Sequence, residues 1–165
     1  MNRTSGLGSH ARPADEVERW CRTFESLCRE RGIRVTGQRL AVYRALAADT
    51  SHPTADKVYS RLQREMSSLS HATVYRILEF LEDEGLVRRV STTDGVGRFD
   101  ANLARHQHLV CRLCGSMRDY DEKSLSLLSL PHPTARGFVA EELDIRILGI
   151  CEDCRSRSGM RGQEK

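Results

Sequence analysis

Four cysteines in two Cys-x-x-Cys pairs are the feature that most constrains how this chain can fold. The pairs are Cys111 with Cys114 and Cys151 with Cys154, and 36 residues separate one pair from the other. Each Cys-x-x-Cys turn brings two thiolates within reach of one ion, and two turns supply the four soft, tetrahedral ligands of a closed structural zinc site. The pattern therefore predicts one structural Zn(II) per subunit, which joins the two ends of a small subdomain.

Two other interpretations of these cysteines are redox activity and disulfide bonding. A thioredoxin-like pair belongs at a helix N-terminus in a βαβ unit, which the sequence does not indicate. Disulfides require an oxidising compartment, and residues 1–14 contain no apolar segment typical of a signal peptide. No apolar run approaches the ~18 residues of a membrane span. The sequence thus favours zinc ligation in a cytoplasmic protein that does not contact a membrane.

The first half of the chain has the hydrophobic periodicity and capping residues of four helices. They are predicted over residues 15–31, from the N-cap Thr36 onward, over residues 55–65, and over residues 71–84 with Ser70 as the N-cap and Gly85 as the stop. The residues expected to be buried are Trp20, Phe24, Leu27 and Cys28 in the first, Leu40, Tyr43 and Ala47 in the second, Val58, Tyr59 and Leu62 in the third, and Val74, Ile77, Leu78 and Leu81 in the fourth. Cys21 and Cys28 are seven residues apart, so we expect them to be packing thiols on one face of the first helix.

A β-hairpin is predicted after these helices. Residues 86–90 and 97–99 flank a polar turn that contains Gly95, which is the composition of a hairpin connection. Helices followed by a hairpin in this order indicate a winged helix-turn-helix, with the hairpin as the wing.

The fourth helix has the polarity of a helix that enters the DNA major groove by its N-terminal end. Its first two turns present polar and aromatic side chains, and its acids cluster at the far end. The candidate DNA-binding residues are Ser70, His71, Thr73, Tyr75 and Arg76, with Arg34, Arg39, Arg88 and Arg89 as candidate phosphate or minor-groove contacts. The pattern alone does not distinguish this function from an ordinary solvated helix face.

Six motifs in the same order resemble the ferric uptake regulator family of bacterial metal- and peroxide-responsive repressors. They are residues 52–59 (HPTADKVY), 70–76 (SHATVYR), 84–87 (EGLV), 98–100 (RFD), 106–115 (HQHLVCRLCG) and 149–154 (GICEDC). The resemblance implies an α+β fold with a winged-helix DNA-binding domain, a short hinge and an α/β dimerisation domain stapled by zinc. It also implies that the helix over residues 71–84 reads double-stranded DNA. A homodimer of this kind would bind a palindromic operator, which we expect to be AT-rich.

The predicted organisation follows from this resemblance and from composition. It comprises a disordered head over residues 1–14, a winged-helix domain over 15–100, a hinge over 101–105, a dimerisation and metal-binding domain over 106–154 and a basic tail over 155–165. In the dimerisation domain we expect strands over residues 107–111, 116–120 and 142–148 and a helix over 123–130. An exposed edge of this small sheet would suit a dimer interface.

A second, exchangeable metal site is predicted beside the hinge. His106 and His108 alternate along a strand, so both imidazoles point to one face and can bind the same ion. Resemblance to the peroxide-responsive branch of the family implies that the ligands are His52, Asp100, His106, His108 and Asp119. Nitrogen and oxygen donors without a thiolate suit Fe(II) or Mn(II). In that branch peroxide oxidises a ligand histidine, which here would be His52 or His106.

Several alternatives to a peroxide sensor remain open on the sequence. Asp100 in place of Glu, a short His run and the absence of His in residues 137–150 favour the peroxide branch, but Glu141 or Glu142 could complete the further site of an iron sensor. No cysteine lies between Cys28 and Cys111, which disfavours a zinc sensor, and a manganese sensor is also possible. A metal-dependent hydrolase or a zinc-stabilised interaction module without DNA binding is a more distant alternative; the winged-helix pattern has no role in a hydrolase. The sequence therefore predicts a regulator and not an enzyme.

Overall fold

The chain is organised as two compact units. The computed structural model describes residues 11–91, 95–128, 134–135, 137–139 and 143–158. The boundary between the N-terminal and C-terminal units falls between Leu103 and Ala104, inside the segment predicted as a hinge. Helices dominate the first unit and short strands the second, so the fold class is α+β as predicted. Among the described residues, no helix combines the length and apolar character that crossing a membrane requires.

Four helices build the N-terminal unit, and side-chain caps define where three of them begin. They are α1 (Ala14–Glu30), α2 (Gly37–Ala47), α3 (Ala55–Leu62) and α4 (His71–Asp83). The hydroxyls of Thr36, Thr54 and Ser70 accept hydrogen bonds from backbone N–H groups in the first turns of α2, α3 and α4. These bonds satisfy N–H groups that a helix leaves without an intrahelical partner. Short polar residues in the sequence therefore set the start of each of these helices.

The predicted helix ends differ from the observed ones by a few residues. Helix α3 stops at Leu62 instead of residue 65, because the backbone N–H groups of Glu65 and Met66 both donate to the Leu62 carbonyl in a tight turn. Helix α4 ends at Asp83, one residue before the predicted end, and Gly85 follows its C-cap with a φ of 61°, a left-handed conformation that glycine adopts without steric cost.

The core of the N-terminal unit is built from one face of each helix. On α4, the four residues predicted to be buried, Val74, Ile77, Leu78 and Leu81, are all buried. On α1 the buried face is rotated relative to the prediction and consists of Val17, Cys21, Phe24 and Cys28. Trp20 and Leu27 are only partly buried, and the Trp20 ring is covered by the Arg12 guanidinium at 3.8 Å. Burial raises the pKa of both thiols of α1, as expected for packing cysteines.

The predicted wing is an antiparallel hairpin. Strands β1 (Arg88–Ser91) and β2 (Gly97–Asp100) pair with Arg89 opposite Phe99, and the turn residues 92–94 lie outside the described residues. Leu86 and Val87, predicted as part of the first strand, instead close α4, since their backbone N–H groups both donate to the Leu81 carbonyl. Their buried side chains anchor the wing on the helical core.

The C-terminal unit is organised around one central strand. Its elements are β3 (Gln107–Cys111), β4 (Met117–Tyr120), α5 (Lys123–Ser126), β5 (Thr134–Ala135), β6 (Phe138–Val139), β7 (Arg146–Gly149) and α6 (Glu152–Arg157). The sheet order is β4-β3-β7, with β3 antiparallel to β4 and parallel to β7. Strands β5 and β6 form a separate two-stranded ladder.

Several predictions for this unit and for the chain ends were wrong in detail. The last strand begins at Arg146, so residues 143–145 of the predicted strand lie outside it, while Glu142 lies outside the described residues. The helix predicted over residues 123–130 ends at Ser126, and residues 129–130 are not described. Residues 155–157, predicted as tail, belong to α6, whose Ser158 N–H donates to the Cys154 carbonyl. Ala11, predicted as head, pairs with Asp49 in an isolated β-bridge.

Truncation of Leu78 should destabilise the N-terminal unit. Leu78 is fully buried in α4, so Leu78→Ala removes apolar contacts and leaves a cavity that should cost about 2–5 kcal/mol. Its exposed neighbour Glu79 provides the control, since Glu79→Ala should change stability by less than about 0.5 kcal/mol. Urea denaturation followed by the fluorescence of Trp20, the single tryptophan, measures both variants. Equal losses at the two positions would contradict the burial of Leu78.

Candidate metal sites and nucleic-acid interface

The two Cys-x-x-Cys pairs meet at one end of β3. Cys111 ends β3 and Cys114 follows in a turn that Gly115 completes with a φ of 66°. Cys151 precedes the first residue of α6, and Cys154 is buried in that helix. The two pairs converge because β7, which leads to Cys151, lies beside β3 in parallel orientation.

The four sulfurs have the spacing of a tetrahedral metal site. All four Sγ atoms lie within 4.8 Å of one another, and the Sγ atoms of Cys114 and Cys151 are 3.7 Å apart. Sulfurs at about 2.3 Å from one Zn(II) in tetrahedral geometry would be about 3.8 Å apart. The Cys111 sulfur also accepts a hydrogen bond of 3.3 Å from the Cys151 backbone N–H, which orients it. The donor set and spacing therefore fit a closed zinc site with four cysteine ligands.

The sulfurs strongly affect one another's ionisation. Burial raises the pKa of the Cys111 thiol, but backbone N–H donors from Cys151 and from its own turn outweigh burial and lower that pKa to about 6. Hydrogen bonding with Cys151 and burial raise the pKa of Cys154 to about 12. Four thiolates this close repel one another, so a divalent cation would favour their full ionisation and displace protons on binding.

Two histidines and an aspartate converge at the other end of β3. The Nε2 atoms of His106 and His108 are 3.0 Å apart, and Asp119 Oδ1 lies 3.4 Å from the first and 4.0 Å from the second. His108 is directly opposite Asp119 in the β3–β4 ladder, and cross-strand partners place their side chains on the same face of a sheet. His106, one residue before the strand, reaches this face as the alternation predicted.

The geometry of this cluster fits a metal ion with nitrogen and oxygen ligands. Nitrogens at about 2.1 Å from an ion and at right angles to each other would be about 3.0 Å apart, which matches the observed Nε2 separation. The Nδ1 of His106 lies 2.8 Å from the Ala104 carbonyl. A carbonyl only accepts hydrogen bonds, so Nδ1 carries the proton and Nε2 presents its lone pair. This tautomer is the one that binds a metal through Nε2.

His52 and Asp100 form a buried pair in the N-terminal unit. His52 Nε2 lies 3.5 Å from Asp100 Oδ2, and the two side chains are only 2% and 7% exposed. Asp100 Oδ1 accepts a hydrogen bond of 2.7 Å from the Asn102 backbone N–H, which fixes the carboxylate. The pair thus brings one nitrogen and one oxygen close enough together to bind the same ion.

The backbone at His52 is strained and is held by β2. His52 has a φ of 53°, which is rare outside glycine and costs on the order of 1–3 kcal/mol. The buried Arg98 donates from Nη1 to the His52 carbonyl at 3.1 Å, and the Phe99 backbone N–H donates to the Pro53 carbonyl at 3.1 Å. Arg98 was not among the predicted site residues, although it lies in the Arg98-Phe99-Asp100 motif.

The N-terminal end of α4 carries the predicted DNA-binding residues. His71, Tyr75 and Arg76 are exposed on the outward face. The Ser70 hydroxyl instead caps the helix by accepting a hydrogen bond of 3.1 Å from the Thr73 backbone N–H, and it lies 2.7 Å from the Thr73 hydroxyl. Ser70 therefore has a structural role that is sufficient to explain its presence. Arg34 is exposed, and its carbonyl accepts a hydrogen bond of 2.7 Å from Arg39, whose guanidinium stacks 4.0 Å above the Phe80 ring.

Asp56 of α3 connects the aromatic side chains of this surface. Its Oδ1 lies 2.6 Å from His71 Nε2 and accepts a hydrogen bond of 3.4 Å from the Tyr75 hydroxyl. A carboxylate oxygen is an acceptor, so His71 Nε2 carries the proton in this contact. Partial burial and the Asp56 carboxylate raise the pKa of Tyr75. Asp56 was not among the predicted site residues, although it lies in the quoted motif over residues 52–59.

The chain is similar in sequence to known regulators. The sequence model described as the Ferric uptake regulator family matches residues 30–148. The Peroxide-responsive repressor PerR of Staphylococcus aureus strain Mu50 is 33% identical over 129 residues, which cover 78% of this chain and 87% of the relative.

Solved structures with the same fold are also regulators. A zinc-bound manganese uptake regulator has a TM-score of 0.59 and 28% identity and covers 78% of this chain and 99% of its own. A zinc uptake regulator complexed with zinc and DNA has a TM-score of 0.64 and covers 87% of this chain and 97% of its own; at 21% identity it shows the fold alone. Because the family match spans most of the sequence, this chain belongs to the ferric uptake regulator family of metal-responsive DNA-binding repressors.

Proposed function

We propose that this protein is a homodimeric repressor that releases its DNA operator when hydrogen peroxide oxidises a metal-ligand histidine. The observation that carries this proposal is that each unit presents preassembled nitrogen and oxygen donors. These are His52 with Asp100 in the N-terminal unit, and His106 and His108 with Asp119 in the C-terminal unit. The relatives called peroxide-responsive repressors support the same assignment.

One ion would take ligands from both donor sets. Three imidazoles and two carboxylates without a thiolate match the preferences of Fe(II) and Mn(II). Because the two sets lie on either side of residues 101–105, shared ligation would restrict the freedom of one unit relative to the other. A coupling free energy of about 1–3 kcal/mol between metal binding and DNA binding corresponds to a change of about 5- to 150-fold in operator affinity.

In this proposal α4 is the DNA-reading helix. Tyr75 and Arg76 are exposed on its outward face and would contact base edges. His71, Thr73, Ser70 and Arg34 surround them and would contribute hydrogen bonds or phosphate contacts. A two-fold dimer presents two such helices, so its operator would be a palindromic, AT-rich double-stranded sequence.

The C-terminal unit would provide the dimer interface, and a structural zinc ion would stabilise this unit. Large apolar side chains that are exposed in the described chain are concentrated in this unit, among them Leu109 and Ile147, which are neighbours across the β3–β7 ladder. Exposed apolar surface of this kind is typical of an interaction site. A unit this small gains stability from a structural ion. Reduced thiols are maintained in the cytoplasm, where we place the protein.

Fe(II) held by these ligands would supply the redox chemistry that allows hydrogen peroxide to oxidise an adjacent imidazole, whereas Mn(II) would not supply it. In the overall reaction one oxygen atom passes from peroxide to the ring of His52 or His106, and the peroxide leaves as water. An oxidised ring loses basicity as a ligand, so the shared site is weakened and the operator is released. Iron sensing is the second candidate, since the same donors bind Fe(II); it differs in that release follows loss of the ion without oxidation.

Removing His108 should abolish metal-dependent DNA binding without affecting the zinc site. His108→Ala deletes one of the two Nε2 donors that lie 3.0 Å apart, while the cysteine cluster keeps its four sulfurs. We expect Mn(II) to enhance binding of the wild type to a selected operator duplex, and this enhancement to be lost in the variant. His10→Ala is the matched control because no proposed site uses His10. Full Mn(II) enhancement in His108→Ala, measured by fluorescence anisotropy, would contradict the ligand set.

Removing one sulfur should expel the structural ion and dissociate the dimer. Cys154→Ser leaves three thiolates, which bind zinc more weakly, and the unfolding of the C-terminal unit should follow. Cys21→Ala is the control, because Cys21 is a buried packing thiol in the other unit. Elemental analysis measures zinc content and analytical ultracentrifugation measures mass. A Cys154→Ser protein that remains a zinc-loaded dimer would refute the role of the cluster.

Peroxide should release only the Fe(II)-loaded protein from DNA. Brief exposure to low peroxide should abolish operator binding and add the mass of one oxygen atom to a peptide that contains His52 or His106. The Mn(II)-loaded protein, treated in parallel, should keep both its binding and its mass. Mass spectrometry of tryptic peptides provides the measurement. Release from DNA with unmodified histidines would favour the iron sensor over the peroxide sensor.

A further inference from the structure

A carboxylate on the proposed DNA-facing surface needs a physical explanation. The Asp56 side chain is 68% exposed and lies against the N-terminal end of α4. A negative charge at this place would repel the phosphates of DNA that approaches the helix. If DNA approaches this surface, Asp56 must make a favourable contribution to binding that offsets its repulsion of the phosphates.

The contacts of Asp56 restrict two aromatic rings. One carboxylate oxygen binds both His71 Nε2, at 2.6 Å, and the Tyr75 hydroxyl, at 3.4 Å. The His71 and Tyr75 ring centroids are 4.7 Å apart, and the Tyr59 ring packs edge-on against His71 at 5.1 Å. An exposed tyrosine otherwise samples several rotamers, and ordering it on binding costs free energy. In the free protein, the contact with the carboxylate favours this orientation of Tyr75 over rotamers that lack it.

We propose that Asp56 is a positioning and specificity-determining residue for DNA recognition, which holds Tyr75 and His71 in the orientation that meets the bases. This inference rests on the proposed function, because it assumes that α4 reads DNA. A Tyr75 ring that is already ordered increases the affinity for operator DNA, whose bases match its position. It gives no such gain on other DNA sequences, so specificity rises. The His71 N–H on the carboxylate also reduces the repulsion between Asp56 and phosphate.

A competing explanation is that Asp56 only stabilises α3. It lies in the first turn of that helix, where an acid interacts favourably with the helix dipole. If this were its only role, replacing Asp56 would lower the stability of the protein but would not change its preference among DNA sequences. Asp15 is an exposed acid in the first turn of α1 and is a matched control for the dipole effect.

The test compares affinities for two duplexes by fluorescence anisotropy with Mn(II) present. One is selected in vitro by the wild type from a randomised pool, and the other is a scrambled duplex of equal composition. Asp56→Ala should lower the ratio of the two affinities by about 3- to 10-fold, the effect of losing one hydrogen bond. Asp56→Asn keeps an acceptor oxygen and should retain most of the ratio while it binds both duplexes more tightly. Asp15→Ala should leave the ratio unchanged.

Two further measurements make the inference independent of any single variant. Tyr75→Phe should reduce the ratio in the wild type but have a smaller effect when combined with Asp56→Ala, because the two residues act together. In the free protein, Asp56→Ala should lower the pKa of Tyr75, followed by phenolate absorbance relative to Tyr75→Phe. If the pKa of Tyr75 is the same in Asp56→Ala as in the wild type, Asp56 does not contact Tyr75 in solution. The proposal is then overturned, whether or not the protein binds DNA.

The remaining outcomes separate this inference from the proposed function. If Asp56→Ala binds both duplexes more tightly with an unchanged ratio, the carboxylate is only a repulsive charge and the inference is overturned, while the regulator function stands. If the wild type shows no Mn(II)-dependent preference for any duplex, the proposed function itself fails and the inference fails with it.

Discussion

The backbone pairing of β3 with both of its neighbours is the constraint on which the C-terminal unit depends. Pairing with β4 places His108 opposite Asp119, and pairing with β7 places Cys111 opposite Gly149. Side chains alternate along a strand, so a slip of one residue would turn Asp119 to the opposite face of the sheet. The four cysteines lie at one end of β3 and His106, His108 and Asp119 lie at the other end, so the register of this strand positions both groups. One strand thus positions both candidate metal sites of this unit.

The N-terminal unit uses β2 in a comparable way. Asp100 supplies a carboxylate from the end of this strand, and Arg98, two residues earlier, donates to the His52 carbonyl. Together with the bond from the Phe99 N–H to the Pro53 carbonyl, these contacts hold a strained residue in its left-handed conformation. Strain of this kind persists only where surrounding contacts over-determine it. Strand β2 of the wing is therefore also the strand that positions both candidate ligands of this unit.

Local signals made much of this fold predictable, and long-range pairing explains what was missed. The caps Thr36, Thr54 and Ser70 act within one helical turn, so their short polar side chains define helix starts from sequence alone. The parallel partner of β3 is distant in sequence and begins only at Arg146, and no local pattern specifies that pairing. Candidate ligands were found because histidine and cysteine spacings are chemically distinctive. Asp56 was missed because an acid near a helix N-terminus has an ordinary local explanation.

The contacts between the wing and α4 limit how a signal can pass through the N-terminal unit. Arg89 of β1 forms an ion pair of 3.0 Å with Glu82 of α4 and lies over the Phe99 ring. Such an exposed pair contributes only about 0–1 kcal/mol, but Leu86 and Val87, which connect α4 to β1 in sequence, are buried in the core and add apolar packing. Close-packed interiors deform little. A change at Asp100 is thus expected to move the wing and α4 together and not to rearrange α4 alone.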